Sequence, residues 1–269
     1  MITFNTAYRN DDKDIFPTVH SWLGALYTGQ DNEIKGPYFF RSLNTLQNSL
    51  DYHLKDQEIF ITALTHKTFH FENKKTVFAH NEKLEFLGDA VLGHIVARYL
   101  YLNYPTLNEG ELSKLRVSLV NEASFAKLGR SINLSENLFI GKGEFKNNGH
   151  LKDVIIADAF EAIFGALSLE LDLEKIMKVF QTVVVHYEKS SNLPFIDVEA
   201  IETFDSKSKL QEISMKKWGL VPQYIAKEIN GEFEVSLFIG DKKYKSLSGN
   251  SKKKLEKELA KFVIENNLL

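Results

Sequence analysis

The 269-residue sequence contains no cysteine. That excludes disulfides, thiolate metal sites and cysteine nucleophiles together, and it fits a reducing compartment. No apolar run approaches the roughly 18 residues that a bilayer span needs. The opening stretch, MITFNTAYRNDD, has no basic segment followed by an apolar one, so no secretory signal is read there. The expectation is a cytoplasmic chain with no membrane partner. There is no excess of positive charge either, the formal net charge being -3. The average hides an asymmetry. Residues 205–269 hold 13 Lys+Arg against 9 Asp+Glu, a balance of +4, and residues 1–204 hold 20 against 27, a balance of -7. A basic tail suits phosphate partners, and an acidic body suits hard metal ions.

What is present reads as globular. Hydrophobic residues make up 43% and charged residues 26%, which argues against a disordered or fibrous chain. At roughly 150 residues per domain, the length corresponds to one large domain or two small ones. Residues 1–48 are aromatic-rich and weakly periodic, an N-terminal extension of short elements with no assigned role. From 49 to 187 the pattern is helical. Leu84, Leu87, Val91, Ile95 and Leu102 recur near every 3.6 residues. A second helix is predicted over Glu109–Leu128, a third over Asp153–Leu169 and a fourth over Leu173–His186, with a glycine-bearing loop GKGEFKNNGH (141–150) before the third. Residues 188–204 read as a linker. Over 205–269 the grammar changes to α-β-β-β-α: a helix over Lys209–Trp218, two alternating runs joined by Asn230-Gly231, a third strand over Lys243–Ser246, and a helix capped by Ser251 and ending near Glu265. The fold class predicted is an all-α domain followed by a small α+β domain.

Two carboxylate spacings carry the chemistry. In LEFLGDAV (84–91), Glu85 and Asp89 are four apart; in VIIADAFEAIFGAL (154–167), Asp158 and Glu161 are three apart. Either spacing puts both acids on one helical face. The flanking residues are apolar enough to predict burial, and buried like charges need a counter-charge. No Lys or Arg lies inside either segment, so a bound cation is the economical answer. Four carboxylates without cysteine favour Mg²⁺, with Mn²⁺ as substitute, over zinc. Such an ion accepts phosphate oxygens, which points to metal-assisted phosphodiester hydrolysis. Glu82, three residues before Glu85, and Glu109, at the start of the next helix, read either as acids that assist such an ion or as helix-start charges, the latter reading being strong for Glu109 by itself.

Spacing alone stops at a helical, carboxylate-rich, metal-dependent protein. NEKLEFLGDAVL (81–92) also resembles the signature of the ribonuclease III family of double-stranded-RNA endonucleases. So do LTHKTF (64–69), EGELSKLRVSLV (109–120), GKGE (141–144) and ADAFEAIFGA (157–166), in the family's order. The resemblance places the family's four metal-binding, catalytic carboxylates on Glu85, Asp89, Asp158 and Glu161, and its accessory acids on Glu82 and Glu109. It implies a homodimer in which the residue matching Phe86 fills a ball-and-socket contact. It further implies two active sites that make staggered cuts, leaving short 3′ overhangs with 5′-phosphate and 3′-hydroxyl ends, in the processing or decay of rRNA and mRNA. No small-molecule cofactor is expected.

The tail resembles a double-stranded-RNA-binding domain, which reads A-form shape with little sequence preference. Lys209, Gln211 and Glu212 match its first contact region. Ser251, Lys252, Lys253 and Lys254 match its phosphate-binding helix start. The loop at Asn230-Gly231 is shorter than usual, Leu247 stands where a glycine is usual, and Leu255 and Leu259 replace common alanines. These departures predict weaker RNA affinity than a typical member has. The competing readings are a catalytically silent relative that grips double-stranded RNA, and a helical phosphohydrolase for small molecules.

Overall fold

A computed structural model describes residues 15–28, 39–73, 79–196, 198–229 and 231–268. The chain divides into two compact units, Met1–Phe195 and Ile196–Leu269. Among the described residues no helix is long and apolar enough to cross a membrane.

Among its described residues the first unit is helical apart from a two-residue parallel pairing of β1 (Ile15–Phe16) with β2 (Phe39–Phe40) and an isolated bridge of Thr65 with Phe139. Its helices are α1 (Val19–Thr28), α2 (Arg41–Ser49), α3 (Gln57–Leu64), α4 (Lys67–Glu72), α5 (Glu82–Asn103), α6 (Glu109–Leu119), α7 (Glu122–Ser131), α8 (Lys142–Lys146), α9 (Asp153–Ser168) and α10 (Leu173–Ser191). At its centre is α9, whose Ile155, Ile156, Phe160, Ile163 and Phe164 are all buried. Such a helix has no solvent face to speak of, and its neighbours α3, α5 and α7 enclose it.

The contact of α5 with α9 is a backbone contact. A Cβ added at Gly88 would lie 1.8 Å from the carbonyl oxygen of Glu161, and one at Gly165 would lie 2.1 Å from that of Leu84. Only glycine permits this approach. It sets Glu85 and Asp89 of one helix against Asp158 and Glu161 of the other.

Several sequence expectations are corrected. The helix predicted over Glu109–Leu128 is two helices. Val120 ends α6, and the Asn121 side chain accepts from the Ser124 N–H at 3.0 Å to start α7. Leu102 is 60% exposed and does not continue the inward stripe of α5. The loop 141–150 contains the short helix α8 and a 3₁₀ turn over Gly149–Leu151. The fourth helix runs on to Ser191. In the extension, residues 1–14 and 29–38 lie outside the described residues, but α1 belongs to the fold. Trp22 is fully buried against Phe40, Phe69 and Phe139, with ring centroids 5.6–6.2 Å apart.

The second unit comprises α11 (Val198–Trp218), a sheet of β3 (Gln223–Ile229), β4 (Glu232–Ile239) and β5 (Lys242–Gly249), and α12 (Lys252–Glu265). The strands pair antiparallel in the order β3-β4-β5. Val235, Leu237 and Ile239 alternate inward from β4 and pack with Leu210 of α11 and Leu255, Leu259 and Val263 of α12. Leu255 and Leu259, noted above as departures, are thus core residues. The first helix starts at Val198, eleven residues before the predicted Lys209 and inside the stretch read as linker, where residue 197 lies outside the described residues. Gly231 adopts a φ of 84°, the left-handed conformation that a tight hairpin needs; Asn230 lies outside the described residues. Ser251 stands at the start of α12 but makes no side-chain cap bond, contrary to expectation.

Candidate active site

The start of α5 is fixed by the chain around it. The Asn81 N–H donates to the Thr65 carbonyl at 2.9 Å, and Thr65 bridges Phe139 in a parallel pairing. Phe139 donates to Leu64 and accepts from His66, each at 2.9 Å. Two stretches quoted above, LTHKTF and NEKLEFLGDAVL, are thereby tied through main-chain bonds to each other and to Phe139, just before GKGE. With the glycine contact between α5 and α9, this fixes where the acids sit.

The four acids are not equally buried. Glu85, Asp158 and Glu161 are half-buried, whereas Asp89 is exposed, so the predicted burial fails for that residue. Glu161 feels the group most strongly. Burial, followed by the charges of Asp89, Glu85 and Asp158, pushes its carboxyl up to about 8. Burial also raises Glu85, with Asp158 and Glu82 adding to the push, and raises Asp158, with Glu122 adding to it. Glu161 thus stands within the field of the other three acids. Among the described residues, no three His, Asp or Glu side chains stand close enough together to hold an ion as they are placed. The donor chemistry nevertheless fits Mg²⁺ or Mn²⁺: hard oxygen donors with more negative charge than the pocket tolerates.

Glu82 is exposed and takes a hydrogen bond from Lys67 Nζ at 3.1 Å. That bond holds its carboxyl below the ordinary range. His80 Nδ1 stands 3.6 Å from its other oxygen. Lys67 went unassigned in the sequence reading although LTHKTF contains it, because only the fold carries it across to Glu82. Glu109, in the first turn of α6, accepts from Ser113 Oγ at 2.9 Å. It is not among the charges that raise Glu85, Asp158 and Glu161. An open groove of about 540 Å³ runs beside Asp89 and is lined by Gly93, His94, Arg116 and Val117, none of them singled out by spacing.

A family model described as Ribonuclease-III-like matches residues 56–187. The ribonuclease 3 of Aliarcobacter butzleri (strain RM4018) is 42% identical over 225 residues, which is 82% of this chain and 95% of that protein. The chain belongs to the ribonuclease III family. Another ribonuclease 3, from Campylobacter fetus subsp. fetus, is 39% identical over 228 residues, 83% of this chain and 97% of its own. The crystal structure of the nuclease domain of ribonuclease III from Campylobacter jejuni is 42% identical, with a TM-score of 0.50, and covers 59% of this chain and all of that one. The chain is accordingly a ribonuclease III enzyme, an RNA-binding nuclease with a helical unit followed by an α+β unit.

The remaining residues implied by that family lie on the surface. Phe86, on α5 between Glu85 and Leu87, is 81% exposed, so it is not an ordinary core phenylalanine. In the second unit Lys209, Gln211 and Glu212 are exposed on α11, as are Ser251, Lys252, Lys253 and Lys254 at the start of α12. Lys254 reaches Glu258 only loosely, at 3.9 Å.

Proposed function

We propose that this ribonuclease III is a Mg²⁺-dependent endonuclease that hydrolyses double-stranded RNA to 5′-phosphate and 3′-hydroxyl ends with short 3′ overhangs. Cytoplasmic RNA processing or decay is its setting. One observation carries the proposal: across the glycine contact of α5 and α9, burial, with the charges of Asp89, Glu85 and Asp158 adding to it, raises Glu161 to about 8. A half-buried carboxylate with three acids acting on it is favoured in its charged form by a bound cation.

Glu85, Asp89, Asp158 and Glu161 would hold the ion, and Mn²⁺ would serve in place of Mg²⁺. When bound, the ion supplies Lewis-acid stabilisation and an activated water. The chain's own part is to bring the acids together across the glycine contact and to shield Glu85, Asp158 and Glu161 in part from water, so that charge interactions among them are stronger. Glu82 and Glu109 serve as accessory acids around this group.

Residues 49–187 form the endonuclease domain under this reading, with 1–48 as its extension. Residues 205–269 form the double-stranded-RNA-binding domain, joined through 188–204. Lys209, Gln211 and Glu212 contact the duplex. Ser251 and Lys252–Lys254 meet phosphates with side-chain charge and the free N–H groups of the α12 start. A phenylalanine 81% exposed supports a homodimer closed around Phe86.

The deciding assay is cleavage of a duplex RNA with Mg²⁺, with EDTA, and by Glu161→Ala with Mg²⁺. Cutting by the parent with Mg²⁺ alone is expected. Cutting that persists in EDTA, or in the variant, overturns the assigned site.

A further inference from the structure

The carboxylate group has a cation at its rim. Lys67 opens α4, and its Nζ lies 3.1 Å from Glu82 Oε1, one helical turn before Glu85. Its charge also opposes the upward push on Glu85 and Asp158. An exposed ion pair by itself contributes only about 0–1 kcal/mol to folding. This pair is 52% and 48% exposed, so stability is a poor account of it.

The backbone that carries Lys67 is held on both sides. Before it, the His66 N–H donates to the Phe139 carbonyl at 2.9 Å. After it, Thr68 Oγ1 accepts from the Gly141 N–H at 3.0 Å, and Glu72 Oε2 accepts from the Lys142 N–H at 2.7 Å. The fit there is close. A Cβ at Gly141 would come within 2.5 Å of Glu72 Oε1 and 2.9 Å of the Thr68 carbonyl carbon. The GKGE segment therefore clamps α4, and α4 aims a lysine at the acids.

We propose that Lys67 is a positioning residue for RNA cleavage: tethered through Glu82, its ammonium presents the positive charge that guides a phosphodiester to the rim of the carboxylate group. A polyanion approaching four acids is repelled, and a fixed cation at the entrance offsets that repulsion and orients the strand. The tether also keeps Glu82 engaged outside the quartet. The inference rests on the nuclease reading above, and the test separates the two.

The full chain is compared with Lys67→Ala, Lys67→Arg and Glu161→Ala in single-turnover cleavage of one duplex RNA at saturating enzyme. Mg²⁺ is also titrated against each protein without RNA, by thermal shift. Lys67→Ala is expected to cut about tenfold or more slowly, and Lys67→Arg to recover most of the rate. Mg²⁺ should bind Lys67→Ala at least as tightly as the parent, because a like charge beside the ion has gone. A rate for Lys67→Ala within about twofold of the parent overturns the proposal. So does a slow Lys67→Ala whose Mg²⁺ binding and melting temperature fall together, which marks a structural role. An inactive Glu161→Ala beside an unimpaired Lys67→Ala sinks the lysine alone; a fully active Glu161→Ala sinks the site itself.

Discussion

At the scale of the residue, Glu161 links acidity to folding. Its carboxyl titrates near 4.5 in an ordinary setting and at about 8 in the fold. Between those values the folded chain keeps a proton that the unfolded chain has released. Without metal, stability therefore falls as the pH rises through that window. Glu161→Gln removes the penalty. In EDTA, its melting temperature should match the parent's near pH 4.5 and exceed it by a growing margin toward pH 8. Adding Mg²⁺ should raise the parent at pH 8 and leave Glu161→Gln nearly unmoved. A margin that shrinks with rising pH would contradict the upward shift of Glu161 by burial and its acidic neighbours.

Two glycines make a sharper comparison. Gly88→Ala drives a Cβ into the backbone of α9, a clash expected to cost about 3 kcal/mol or more. Gly93, on the same helix, has nothing within 4 Å of an added Cβ. Gly93→Ala should be neutral or stabilise by up to about 1 kcal/mol. Urea unfolding of the two variants checks both signs.

At the scale of the element, much of the helical unit was legible in the sequence. The stripe from Leu84 to Ile95 and the apolar run around Asp158 placed α5 and α9, because long periodic segments outweigh local noise. The acids of the quartet could be paired within each helix by spacing, but their meeting could not be read that way. That contact depends on Gly88 and Gly165, whose fit is a property of two distant segments. The same holds for Lys67 and Glu82, which are fifteen residues apart and on different helices. The break at Asn121 was missed because the apolar period runs through it; a cap residue followed by an acid was the available signal. The N-terminal helix α1 was illegible for another reason. Only Val19, Trp22 and Leu23 are fully buried over ten residues, too few to raise a period above background. Its integration is nonetheless firm. Tyr27 donates to the Ile140 carbonyl at 2.8 Å, and His20 stacks on Phe145 and packs at a tilt against His150. Trp22→Ala is expected to cost about 3–5 kcal/mol, measurable by denaturant unfolding. A loss under about 1 kcal/mol would mean that α1 is dispensable to the core.

At the scale of the whole molecule, the chain pairs an acidic body with a basic tail, and the two units divide at 195/196. A truncation at 205 would cut through α11, so the informative deletion removes 196–269. It should weaken duplex cutting at physiological salt and largely spare the low-salt reaction, because phosphate contacts supply salt-dependent affinity. Equal activity of both forms at every salt concentration would make the second unit irrelevant to the reaction.

The meeting of α5 and α9 has one more consequence. With peptide planes in direct touch at Gly88 and Gly165, no side chain stands between the two rods to act as a cushion. Neither rod can slide or roll far without driving a side chain or peptide group into a carbonyl of the other. Any yielding that a departing product requires is therefore expected of α6 and the long side chains around the groove rather than of this contact.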